Sequence, residues 1–220
     1  MSELMNASQR HSPTIVTLTR RACCLAFGAS LGVAACSPLD LASQNAPRLY
    51  ELTPKSTFDP MPTVAGALAI DIPSARTGLN TARIALRPNP TSLDYYADAL
   101  WIDVVPNMVR TLVIESFDNS EQIKLAKDDT SIRPDFRLIL AVREFQADYQ
   151  DIKEPPQINI VIQAQLERSP RGGVLANEDF SGIVTAAGTS VPDVVAAFDT
   201  ALGKVLKRLV VWTGEQMASN

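Results

Sequence analysis

The alternation of apolar and polar residues between Asp135 and Glu167 constrains this chain more than any other feature. Phe136, Leu138, Leu140 and Val142 point one way, and the phase slips at Glu144-Phe145. After Glu154-Pro155-Pro156 the series Ile158, Ile160, Ile162, Ala164, Leu166 resumes between polar neighbours. Side chains alternate across a strand with period two, so the pattern predicts two half-buried antiparallel strands with one wet face, the slip marking a bulge. A turn over 169–173 then leads into a further strand from Val174 to Thr185.

Shorter pieces lie upstream. Arg48-Leu49-Tyr50-Glu51-Leu52 alternates and is stopped by Pro54. In Gly66 to Ile72, Leu68, Ile70 and Ile72 share a face. Arg83-Ile84-Ala85-Leu86-Arg87 alternates again; 74–81 reads as loop, and Ile123 to Ala126 as a short strand. Two segments have helical period instead. Pro106 suits a first helical turn, and Val109, Leu112, Val113, Ser116 and Phe117 then make one stripe, ending near Asp118-Asn119-Ser120. Ser190 with Asp193 three residues on is a capping-box variant ahead of Val195, Phe198, Leu202, Val205, Leu209 and Trp212. Lys204, Lys207 and Arg208 add cations toward that helix's C-terminus, where the dipole favours them. The expected fold is α+β: a mainly antiparallel sheet with two amphipathic helices packed on one face.

The N-terminal segment belongs to a different category. Arg20-Arg21 precede an apolar run from Ala22 to Ala35, shorter than the roughly 20 residues a spanning helix needs. Charge, apolar run and small residues in that order form a secretory signal. Val33-Ala34-Ala35-Cys36 resembles the bacterial lipobox, which implies cleavage before Cys36 and acylation of its sulfur and new amino group. The other reading is a plain signal or a short anchor helix, with Cys36 incidental. Thr19 to Leu25 resembles a twin-arginine signal in part, with Cys23-Cys24 where Phe-Leu is usual, so the export route stays open. The expected domains are a signal peptide over 1–35, a lipidated tether over 36–47, polar and helix-breaking, and a folded domain over 48–218.

Removing the signal leaves 185 residues, enough for one sizeable core. They carry 17 basic against 23 acidic side chains, a net charge of −6. An acidic domain without a basic run is poorly suited to nucleic acid, whose binding is dominated by phosphate neutralisation. His11, Cys23 and Cys24 all precede the cut. A mature chain without histidine or free thiol cannot build a Ser-His-Asp triad, a Cys-His pair or a histidine zinc site. Carboxylate pairs, Ser-Lys arrangements and oxygen-only metal sites are what remain; no cofactor is implied.

Ser92 to Trp101 concentrates aromatics around Asp94 and Asp98. Tyr95, Tyr96 and Trp101 are the candidate partner-contact residues, because aromatic side chains supply large contact area at low entropy cost. The competing reading makes alternate residues core. Asp94 with Asp98 reads as solvated surface rather than an acid-base pair. Asp128-Asp129 lacks the alternating oxygen ligands and glycine of an EF-hand and reads as a turn. Ile158 to Leu166 would line either a sheet core or an acyl groove.

With these pieces in order, the chain resembles the ABC-type transport auxiliary lipoproteins, the family that includes the paraquat-inducible C-type lipoproteins. The likeness is carried by Leu49-Tyr50-Glu51-Leu52-Thr53-Pro54 and by Asp94-Tyr95-Tyr96-Ala97-Asp98-Ala99-Leu100-Trp101 ahead of a Pro-led helix. Arg133-Pro134-Asp135-Phe136-Arg137-Leu138, Phe145-Gln146-Ala147-Asp148-Tyr149 and the closing helix add to it. The resemblance implies a non-catalytic, periplasm-facing lipoprotein of a lipid transport system. Its implied partners are a mammalian-cell-entry-domain conduit protein, an inner-membrane permease and an ATPase, and ring-forming partners leave room for self-association. Ser37, where inner-membrane lipoproteins typically carry Asp, points by analogy to the outer membrane. The alternative function is a lipid carrier with its own acyl-chain pocket.

Overall fold

A computed structural model describes residues 46–126, 132–170 and 172–219. The lipobox and Cys36, the signal segment, most of the tether and Asp128-Asp129 lie outside the described residues.

The chain runs β1 (Arg48–Tyr50), β2 (Ala67–Ile70), β3 (Ser74–Ala75), β4 (Arg83–Arg87), β5 (Asp94–Trp101) and α1 (Val105–Ser120). It continues through β6 (Lys124–Leu125), β7 (Phe136–Asp148), β8 (Gln157–Arg168), β9 (Val174–Thr185) and α2 (Val191–Ala218). Thirteen residues make β7 about 40 Å long, and the sheet is built on its two edges. Along one edge β8 pairs antiparallel over the whole length, with β9 antiparallel beyond it. The other edge receives three short strands end to end, all parallel to β7. β2 lies against Phe136 to Leu138, β3 against Ala141-Val142, and β4 against Ala147-Asp148. β6 flanks β2, while β5 and then β1 flank β4.

The sheet is therefore mixed, and the expectation of a mainly antiparallel one needs correcting. Alternation in a single strand reports burial, not the direction of its neighbour. The β7–β8–β9 meander has short turns that enforce antiparallel pairing, whereas β2, β3 and β4 reach β7 from far upstream and dock parallel to it. Two further differences concern extent: 74–81, read as loop, contains β3, and the aromatic stretch before α1 is itself the strand β5. The slip at Glu144 is a bulge, since the β7–β8 register shifts between Val142 and Glu144.

Ile158, Ile160, Ile162, Ala164 and Leu166 of β8 and the even-numbered residues of β7 before the bulge are buried. They form one core with α1, α2 and the short strands. α2 lies along β8 and β9 and packs on α1. Its buried stripe is broader than the expected one and includes Val194, Ala201, Leu206 and Val210, while Val195 and Trp212 sit at its margin. Close approach depends on Gly182 of β9: a Cβ there would stand 2.3 Å from the carbonyl oxygen of Ala201. The expected cap is present, with Ser190 Oγ accepting the Asp193 N–H at 3.4 Å and donating to the Asp193 carboxylate at 2.5 Å. α1 begins with Pro106 in its first turn and ends at Glu121 in the left-handed region, φ 56°.

The Pro-rich segment after β1 straps both helices. The Thr53 N–H and hydroxyl donate to the Asp199 carboxylate of α2 at 2.7 and 2.9 Å, and the Lys55 N–H donates to Ser116 Oγ of α1 at 2.9 Å. Buried Ser116 is satisfied on both sides, as its hydroxyl also donates to the Leu112 carbonyl at 2.6 Å.

Candidate partner interface

β5 positions all three aromatic residues singled out by sequence, and it separates their fates. Trp101 is 1% exposed. Its indole meets Phe145 and Phe198 edge-on, with centroids 5.9 and 5.2 Å away. Trp101 is thus core, and its place among surface contact residues is corrected. As the last residue of β5 it alternates inward with Ala99, toward α2.

Tyr95 and Tyr96 remain half-buried, each with its hydroxyl engaged. The Tyr95 hydroxyl donates to the Gly78 carbonyl at 2.9 Å, and the Arg83 guanidinium lies 3.9 Å above the ring centroid, a cation–π geometry. The Tyr96 and Tyr149 hydroxyls are 2.6 Å apart. Burial, and secondarily the bond to Tyr149, pushes the Tyr96 phenol well above its ordinary range, so it stays protonated. Asp94 and Asp98 do not form a cleft pair: both are exposed, and Asp98 sits at φ 53° where β5 departs from regular pairing with β4.

Close by lies a polar cluster that sequence reading missed. Arg87 of β4 holds Asp148 of β7 through two bonds of 2.8 Å and approaches Glu144 at 3.8 Å; Arg76 reaches Glu144 at 3.2 Å. Donation to the Asp148 carboxylate raises the pKa of the Arg87 guanidinium above its usual value. Gln146 sits between them, 1% exposed, its amide donating to Glu144 at 2.6 Å and its carbonyl accepting the Phe145 N–H at 2.9 Å. The bulge is the reason. It reverses the facing of β7, so Phe145 and Ala147 turn inward while Glu144, Gln146 and Asp148 face the other way. The phase slip was visible in sequence, but the cross-strand partner Arg87 was not.

Chemically this is a cross-strand staple whose charges are matched; it offers no nucleophile held against a base. Among the described residues no cluster of three His, Cys, Asp or Glu side chains could hold a metal ion, and no helix is long and apolar enough to cross a membrane. The apolar series of β8 is buried under α2 as sheet core, which tells against an acyl groove along it. A cleft of about 460 Å³ lies elsewhere, open to solvent, between Asp59, Ser181, Ile183, Lys204, Lys207 and Arg208.

Residues 50–210 match the family model described as the ABC-type transport auxiliary lipoprotein component. The chain belongs to this family. A crystal structure of a Xanthomonas campestris protein of the DUF330 family is 31% identical, with a TM-score of 0.72 covering 77% of this chain and 95% of that one. A second crystallised protein, uncharacterised, shares the fold at 12% identity and a TM-score of 0.55, over 80% of this chain and 98% of its own. An uncharacterised protein of Bradyrhizobium diazoefficiens is 28% identical over 170 residues, 74% of this chain. The auxiliary lipoprotein spans less than half of that relative, 44% of its length. Membership makes the protein a lipoprotein component of the cell envelope in a family of transport auxiliaries rather than of enzymes.

Proposed function

We infer that the protein is the non-catalytic auxiliary lipoprotein of an ABC-type system that moves lipids between membranes. It is acylated on Cys36, faces the periplasm from the outer membrane, and touches the mammalian-cell-entry-domain conduit protein that works with the permease and ATPase. The observation that carries this reading is the family match over 50–210, joined to a mature domain that has neither histidine nor free thiol. Triad, Cys-His and His-zinc chemistry are out of reach of such a domain, and the family it belongs to is one of transport auxiliaries; on this reading its work is contact. The contact surface is centred on Tyr95 and Tyr96, whose rings are held in place by Arg83 and Tyr149 before any partner arrives. Such preorganisation lowers the ordering cost of association.

The test is capture of the conduit protein from detergent-solubilised envelopes by the tagged full chain. The Tyr95→Ala, Tyr96→Ala double variant, its fold verified by thermal melting, is expected to lose the conduit protein from the eluate. Full retention by the folded variant refutes this choice of surface. Failure of the unmodified chain to retain the conduit protein refutes the partner.

A further inference from the structure

The sheet edge at β1 carries an apolar patch that the partner surface does not use. Leu49 is 64% exposed and Ile102 54% exposed. Leu49 pairs with Leu100 across the parallel β1–β5 ladder, and the ladder continues as the Ile102 N–H donates to the Tyr50 carbonyl at 2.9 Å. Paired residues of adjoining strands share a face and alternate residues change face. Since Ala99 and Trp101 point into the core, Leu49, Leu100 and Ile102 point out together. Arg83, paired with Leu100, borders the patch on one side, and Glu51 marks where it gives way to water on the other. Other exposed aliphatics, such as Ile72, Ile152 and Val174, stand on separate elements.

We propose that Leu49, Leu100 and Ile102 rest on the lipid bilayer in which Cys36 is anchored. This rests on the reading that Cys36 is acylated. The length of chain ahead of the patch selects the occupant: only eleven residues separate Cys36 from Arg48, at most about 40 Å when fully extended. The patch is therefore the part of the domain tied most closely to the membrane. Three aliphatic side chains could not hold a free protein on a bilayer. On a tethered one the contact is intramolecular, and its effective concentration makes a weak contact persist. Arg48 and Arg83 flank the patch against a single Glu51, within a domain of net charge −6, so no strong cationic field faces the headgroups and the contact is one of apolar insertion with little dependence on salt.

The mature chain holds no thiol besides Cys36, so a single introduced cysteine can be labelled uniquely. Full-length acylated Ile102→Cys, Leu49→Cys and, as control, Ile152→Cys are labelled with an environment-sensitive fluorophore. They are reconstituted in vesicles of phosphatidylethanolamine and phosphatidylglycerol. Ile152 lies in the β7–β8 hairpin, beyond the end of β4 remote from Leu100. The expected result is a blue-shifted emission at 102 and 49, quenched by spin-labelled lipid and unchanged between low and high salt, with 152 remaining aqueous. Aqueous emission at all three positions, with acylation of Cys36 confirmed by mass spectrometry, overturns the patch and leaves the anchor standing. A blue shift that grows with protein concentration and escapes lipid quenching assigns the patch to a second copy and overturns the proposal. An unmodified Cys36 overturns the anchor and the proposal with it.

Discussion

Replacing Trp101 distinguishes a core residue from a contact residue. Truncating a buried tryptophan costs about 3–5 kcal/mol. Two edge-on contacts, with Phe145 and Phe198, each contribute roughly 0.5–1.5 kcal/mol beyond area burial, while loss of the indole N–H, unpaired among the described residues, offsets part of that cost. In a domain of this size 1 kcal/mol shifts the melting temperature by about 2–4 °C, so Trp101→Ala is expected to melt roughly 6–20 °C lower. Trp101→Phe is expected to be much milder. The indole N–H has no acceptor among the described residues, and deleting a buried unsatisfied donor offsets about 1–3 kcal/mol of the lost packing. Both variants would be melted by far-UV circular dichroism, with urea titration for the free energies. An alanine variant that melts within about 2 °C of the parent yet loses its partner would return Trp101 to the surface and refute the reasoning.

Gly182→Ala forces a Cβ against the Ala201 carbonyl and is expected to lower stability by about 1–3 kcal/mol through overpacking, read from the urea midpoint. Asp199→Ala removes the acceptor of three bonds from Thr53; the expected result is faster protease cleavage in the Pro-rich strap over 54–62, with the global melt changed by about 1 kcal/mol or less. The raised phenol of Tyr96 sets a pH dependence. The folded protein keeps a proton that the unfolded chain releases near the ordinary phenol value of about 10, so this contribution is complete below that pH and is lost as pH rises above it. Tyr96→Phe should therefore flatten the alkaline decline in urea stability; an unchanged decline would show that Tyr96 is not its source.

The local features of the fold were legible because they are written in nearest neighbours. Ser190 and Asp193 are three residues apart, so their cap is visible in the sequence, as is the slip at Glu144 within one strand. The candidate site was legible only in part. Tyr95 and Tyr96 could be marked as aromatics able to supply contact area, but Trp101 looks the same by composition and differs only in being packed against Phe145 and Phe198. Gln146 and Arg87 stand far apart in sequence, and neither carries a local signal that they belong to one cluster.

The sequence alone settled that the chain after Cys36 is acidic and holds no histidine or further cysteine, and that it carries a lipobox-like stretch, a long β meander and a closing amphipathic helix, since each follows from residue identity or from a period of two or about three and a half. Only the tertiary structure decided that the short strands join β7 in parallel, that Trp101 is core while Leu49 and Ile102 are not, and that Arg87 closes on Asp148. The reason is that direction of pairing and side of burial depend on which distant segment fills the space next to a strand. That is a property of the packed chain and not of any stretch within it.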